Sequence, residues 1–236
     1  MDKVVLNIPH SSTIIPEWAV KDIMISNNEL NLLASFMVDK DVDKLWEFVP
    51  TSNKQVATVS RLIVDIERYR NDADEAMAAK GMGLYYTHTP DGKQFRVRTE
   101  ESYFRCLDIY DKYHAALEEK VSKSLAEHGK CIILDCHSFH DEMYYTGYDQ
   151  IEFPDVCIGV NGDLMDEAKY IIDTFESEGY TVKVNEPFSG SLVPITYLND
   201  TDVTSIMIEL NRRIYDNASF DLIKNICKTI YDKLCV

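Results

Sequence analysis

The sequence predicts an α/β fold, with helices layered against a mainly parallel sheet. Three observations point to it. Short β-branched apolar runs alternate with helical patterns from one end of the chain to the other. No linker, repeat or low-complexity segment interrupts the alternation. The 236 residues, 45% hydrophobic and 27% charged, can build one sizeable core, so a single domain over residues 1–236 is expected.

The first strand is VVLNI at 4–8, a β-branched run ending in Pro9 and His10. From Asn28 to Val49 apolar residues recur at helical spacing (Leu30, Leu33, Phe36, Met37, Leu45), with Asn27 or Asn28 as the cap. QVATVS and RLIVDI read as one or two strands. Residues 70–100 are polar and hold Gly81, Gly83, Pro90 and Gly92, which predicts a long loop or hairpin. Residues 102–129 form a helix that ends at Gly129. Strands follow at 131–136 and 155–160, a helix at 163–179, strands at 180–185 and 203–210, and a closing helix from Ala218.

The formal charge is -16, from 24 Lys+Arg against 40 Asp+Glu. Such a surface repels phosphate backbones and anionic lipid, which argues against nucleic acid and membrane as partners. The N-terminal apolar run is too short for a signal peptide, and no stretch approaches the roughly 20 apolar residues that span a bilayer. The six cysteines form no CxxC pair and no disulfide framework, which predicts a reduced, cytoplasmic protein. Oligomeric state is not legible.

Ligands gather at the carboxyl ends of strands in such sheets. There the sequence sets His10, then Glu67 and Arg68, then His137 and Ser138, then Glu209, Asn211 and Arg212. His10 alone reads as a loop histidine bonded to backbone. His137, in LDCHSF, stands evenly between a ligand and a satisfied core histidine. Asp135 is two residues earlier on the same strand face; it can fix the tautomer of a ligating imidazole or make a simple structural bond. Two imidazoles and one carboxylate, with one position for water, are the pattern of a catalytic zinc site. VDKDVDKLW offers Asp39, Asp41 and Asp43; Asp39 and Asp43 would share one helix face, while Asp41 reads as solvated. Arg61 can polarise a carbonyl or clamp a carboxylate, or simply pair with Asp65. Glu209 follows an apolar run and suits a general base, or a salt bridge to Arg212 or Arg213. Together these signals describe metal-activated hydrolysis of an amide or ester.

PHSS, DKDVDKLW, SRLIVDIER, GLYYTHTPDG, YDKYHAAL, LDCHSF, NEPFSG and IMIELNRRIY occur in the order of the N-formylglutamate amidohydrolase family, which the chain resembles from about residue 7 to 216. That family resembles the zinc carboxypeptidase and aspartoacylase group. The resemblance implies a phosphorylase/hydrolase-like three-layer α/β sandwich with a mixed, mainly parallel sheet. It implies one Zn2+ held by His10, Asp39 and His137, with Asp43 in reserve for Asp39. It implies Glu209 as general base, Arg61 at the carbonyl oxygen, and Arg68 with Asn185 or Arg212 at the substrate carboxylate. The implied substrate is a small N-acyl amino acid such as N-formyl-L-glutamate, cleaved to formate and the amino acid, as in histidine degradation. Glu67 stands where the family usually has Asn, which keeps open a carboxypeptidase-like enzyme or an amidase of another N-acyl amino acid. A binding protein that has lost chemistry is the alternative from another class. His114 reads as packing or support, and His140 as a pocket-mouth residue.

Overall fold

The computed structural model describes residues 1–140, 152–216 and 219–236. They fall into two compact units. One comprises Met1–Ile8, Asp41–Gln55 and Leu117–Val236; the other comprises Pro9–Lys40 and Val56–Ala116.

The first unit holds a six-stranded sheet. Its strands are β1 (Val4–Ile8), β2 (Lys54–Val56), β3 (Cys131–Phe139), β4 (Val156–Val160), β5 (Val182–Val184) and β6 (Val203–Asn211). The order is β2-β1-β3-β6-β4-β5. β1, β3 and β6 run parallel, β4 is antiparallel to β6, and β5 is parallel to β4. The sheet is therefore mixed and mostly parallel, as expected. All nine residues of β3 are buried, which is why CIILDCHSF reads as a nearly continuous apolar run.

Helices pack around this sheet. Val5, Cys131 and Ile133 pack on Leu117 and Val121 of the long helix Glu100–His128, whose later half belongs to this unit. The short helix Val42–Leu45 and the helices Asp166–Ser177 and Phe220–Cys235 pack on β3, β4 and β1 respectively. The last carries a stripe of Ile223, Ile226, Cys227, Ile230, Tyr231 and Leu234, the spacing of one apolar helix face. Ala218, where that helix was expected to begin, lies outside the described residues.

The second unit contains the helices Glu17–Val20 and Asn27–Met37 and the first half of Glu100–His128. In chain order the helices are named α1 (Glu17–Val20), α2 (Asn27–Met37), α3 (Val42–Leu45), α4 (Glu100–His128), α5 (Asp166–Ser177) and α6 (Phe220–Cys235). Ser26 opens α2 with a capping box: its hydroxyl accepts from Glu29 N, and the Glu29 carboxylate accepts from Ser26 N. Two apolar clusters fill this unit, one around Ile63, Val64, Ile66 and Tyr113, the other around Leu30, Leu62, Tyr86 and Phe95.

Three expectations are corrected here. The helix expected from Asn28 to Val49 ends at Met37. Val38 is extended, Asp39 N donates to His10 O at 2.8 Å, and Asp41 takes a left-handed φ of 59° before α3 begins. Asp39 and Asp43 therefore share no helix face. RLIVDI forms turns rather than a strand: Ile63 N and Val64 N both donate to Ser60 O, and Ser60 Oγ accepts from Leu62 N. That side-chain bond gives the backbone an alternative to a ladder. The strand expected near QVATVS is only Lys54–Val56. The 70–100 region does form a hairpin turn, with His88 bridged to Gln94.

Candidate active site

In the sheet unit, parallel pairing sets Asn7 opposite Asp135 and His137 opposite Glu209. Alternation along β3 puts Asp135 and His137 on the same face as Cys131 and Ile133. Asn7, Asp135, His137 and Glu209 thus form one buried polar patch at the carboxyl end of three parallel strands. Asp135 is its anchor. Its carboxylate accepts from Asn7 Nδ2 at 2.8 Å and from Leu192 N at 2.9 Å, and lies 3.1 Å from His137 Nε2. Burial pushes the Asp135 pKa up, but His137 and these donors hold it below the usual carboxylate range. A carboxylate at Nε2 favours the proton there, which makes Nδ1 the basic nitrogen of His137.

The remaining sheet-unit residues divide differently. Arg212 Nε donates to Ser138 Oγ at 3.3 Å, and Ser138 alternates to the other face of β3 from His137. Arg213 pairs with Asp155 at 2.9 Å. Asn185 has a left-handed φ of 55°. Its amide is bonded at both ends to main chain: Nδ2 donates to Val160 O at 3.2 Å, and Oδ1 accepts from Val160 N at 2.9 Å and Gly190 N at 3.2 Å. This exposed side chain shapes the turn that follows β5.

In the second unit Asp65 is the hub, fully buried. Its Oδ1 lies 2.9 Å from His10 Nε2 and accepts from Glu67 N at 3.1 Å. Its Oδ2 accepts from Tyr86 OH at 2.7 Å and Arg61 Nη2 at 2.9 Å, with Arg68 Nε at 3.5 Å. Burial opposes its charge, yet Arg61, His10 and Arg68 hold its carboxyl well below the usual range. The other edge of the His10 ring meets two carboxylates: Asp39 Oδ2 at 3.7 Å and Glu67 Oε2 at 3.8 Å from Nδ1. Burial and Arg61 disfavour the His10 imidazolium, but Asp65 and Asp39 outweigh them and raise its pKa.

His10, Asp39, Arg61 and Arg68 are thus gathered in the second unit, and His137 and Glu209 in the sheet unit. Asp65, expected only as a partner for an arginine, is the hub of this unit, and Tyr86 joins it unannounced by the sequence. Asp65 carried a signal, since Arg61, Arg68 and Arg70 surround it in SRLIVDIERYR. Tyr86 carried none, because its partner is 21 residues away in the chain.

The two histidines share one design. Each gives Nε2 to a buried aspartate and keeps Nδ1 as its basic nitrogen. Imidazoles so oriented beside carboxylates are the donor set of a divalent metal site.

The family model described as N-formylglutamate amidohydrolase matches residues 2–216. No curated protein matches the chain. Among solved structures, the N-formylglutamate amidohydrolase from Ralstonia eutropha JMP134 is similar, with a TM-score of 0.82 at 20% identity, over 99% of this chain and 93% of that one. A gene product of Agrobacterium tumefaciens is similar with a TM-score of 0.70 at 17% identity, over 99% and 92%. At these identities the likeness is one of fold.

Proposed function

Because the chain belongs to the N-formylglutamate amidohydrolase family, we infer that it hydrolyses the amide of an acidic N-acyl amino acid such as N-formyl-L-glutamate, releasing formate and the free amino acid. The observation that carries this reading is the pair of imidazoles, each tied through Nε2 to a buried aspartate.

In this reading Zn2+ is the cofactor, His10 and His137 supply its imidazole ligands, and a carboxylate beside His10, Asp39 or Glu67, supplies the third. Either carboxylate fits the ligand role expected of Asp39: Asp39 Oδ2 stands 3.7 Å and Glu67 Oε2 3.8 Å from His10 Nδ1. When bound, the metal supplies a Lewis acid that makes water a nucleophile near neutral pH.

The chain's own groups do the rest. Glu209, the register partner of His137, takes the proton of the attacking water and returns it to the leaving nitrogen. Arg61 meets the negative charge that develops on the carbonyl oxygen, a stabilisation of about 3–4 kcal/mol for a good donor. Arg68 holds the substrate carboxylate. Asp65 keeps His10, Arg61 and Arg68 in fixed relation. Asn185 or Arg212 shares the role of Arg68 at the substrate carboxylate.

The test is formate release from N-formyl-L-glutamate by wild type and by Glu209→Gln. The expected result is turnover by wild type and a loss of about 100-fold or more in the variant at unchanged zinc content. Full activity in Glu209→Gln would remove the general-base role.

A further inference from the structure

The segment from Asp65 to Arg70 is irregular chain, yet its main chain is tied down residue by residue. Asp65 N donates to Leu84 O at 2.9 Å, and Arg68 N to Asp65 O at 3.4 Å. Glu67 N donates to Asp65 Oδ1 at 3.1 Å, and Tyr69 N to Glu75 Oε2 at 3.1 Å. α4 holds the peptide before Glu67 and the peptide after Arg68, each through its carbonyl. His114 Nε2 lies 2.7 Å from Ile66 O, and Tyr110 OH donates to Arg68 O at 2.9 Å. One residue beyond Tyr110, Asp111 grips Arg70 through both carboxylate oxygens, at 2.7 and 2.9 Å.

Tyr110 and His114 are four apart, so they stand on one helix face. Their rings stack at 4.2 Å between centroids. A carbonyl oxygen only accepts, so His114 carries its proton on Nε2. Burial disfavours the His114 imidazolium and pushes the Tyr110 hydroxyl up to about 12, so both keep the form that donates. Tyr113 is buried in the cluster containing Ile66, and the Tyr110 ring packs against the same cluster.

Fixing the peptides before and after a residue fixes its φ and ψ, and with them the direction of its side chain. We propose that His114 and Tyr110 are positioning residues: His114 aims the Glu67 carboxylate by holding the peptide before Glu67, and Tyr110 aims the Arg68 guanidinium by holding the peptide after Arg68, while Arg68 N on Asp65 O fixes the peptide between them. This rests on the reading of Glu67 as a metal ligand and Arg68 as the holder of the substrate carboxylate.

The test uses the full chain and three variants: His114→Leu, His114→Gln and Tyr110→Phe. Two quantities are read on each: the Zn2+ dissociation constant, by competition with a chromogenic chelator, and KM and kcat for N-formyl-L-glutamate. His114→Leu is expected to weaken zinc binding about tenfold or more. His114→Gln keeps an N–H donor and is expected to restore affinity to within about threefold of wild type. Tyr110→Phe is expected to raise KM by up to about tenfold with zinc affinity unchanged. If His114→Leu does not fold, His114→Asn, whose amide falls short of Ile66 O, replaces it with the same expected loss. Wild-type zinc affinity and KM in both the His114 and Tyr110 variants overturn the proposal. So does a His114→Gln variant as weak as His114→Leu. A wild type that binds no zinc overturns the ligand reading and the His114 arm with it, and is recognised because the failure is in the parent.

Discussion

Two buried aspartates set the chemistry of the histidines. Asp65 collects His10, Arg61, Arg68 and Tyr86, and Asp135 collects Asn7, His137 and Leu192 N. Asp65→Asn keeps the shape and removes the charge. It is expected to cut zinc affinity or turnover about 10- to 100-fold, read by chelator competition and formate release. Both aspartates also make stability depend on pH. Their folded pKa values are lowered. Their contribution is therefore present above the unfolded value of about 4 and is lost as pH falls through the acid range. Thermal midpoints measured from pH 7 down to pH 3 should fall steeply below about pH 4; a flat profile would contradict the shifts. At this scale the sequence was partly legible. His10, His137 and Glu209 stand beside apolar runs, where polar side chains are conspicuous. The hub role of Asp65 was hidden because Tyr86 and His10 reach it from distant parts of the chain.

At the scale of elements, legibility followed the clarity of the hydrophobic period. β3 and α6 were readable because burial on both faces, or on one stripe, leaves its mark in the sequence. RLIVDI was misread because five buried residues in a row look like a strand, while the Ser60 hydroxyl turns the chain instead. The helix beyond Met37 was misread because Asp41 takes a left-handed conformation that spacing does not reveal. Two substitutions test the elements. Ser26→Ala removes half of the α2 capping box and should cost about 1 kcal/mol in chemical denaturation. Gly159→Ala should cost more, about 1–3 kcal/mol. A Cβ there would stand 2.2 Å from Gly190 O and 2.5 Å from Met207 Cε, and a backbone atom gives way poorly. A Gly159→Ala variant as stable as wild type would contradict that close approach.

For the whole molecule, the chain belongs to an amidohydrolase family over residues 2–216, and its fold is that of a solved N-formylglutamate amidohydrolase at 20% identity. Among the described residues no helix is long and apolar enough to cross a membrane. The net charge of -16 does not invite polyanions. An acidic substrate would therefore have to be recognised by a cation held in place, which is the role proposed for Arg68. The family was legible because eight short motifs keep their order along the chain, although each is ordinary alone. The carboxylates beside His10 were less legible: Glu67 and Asp39 reach it through loops, which carry no periodic signal. The most direct measurement of the account is zinc content by elemental analysis, paired with formate release from N-formyl-L-glutamate before and after chelation. The account predicts near-stoichiometric zinc, and formate release that a chelator abolishes and added zinc restores. A protein that takes up no zinc on reconstitution, or that releases formate unchanged after its metal is stripped, would contradict it.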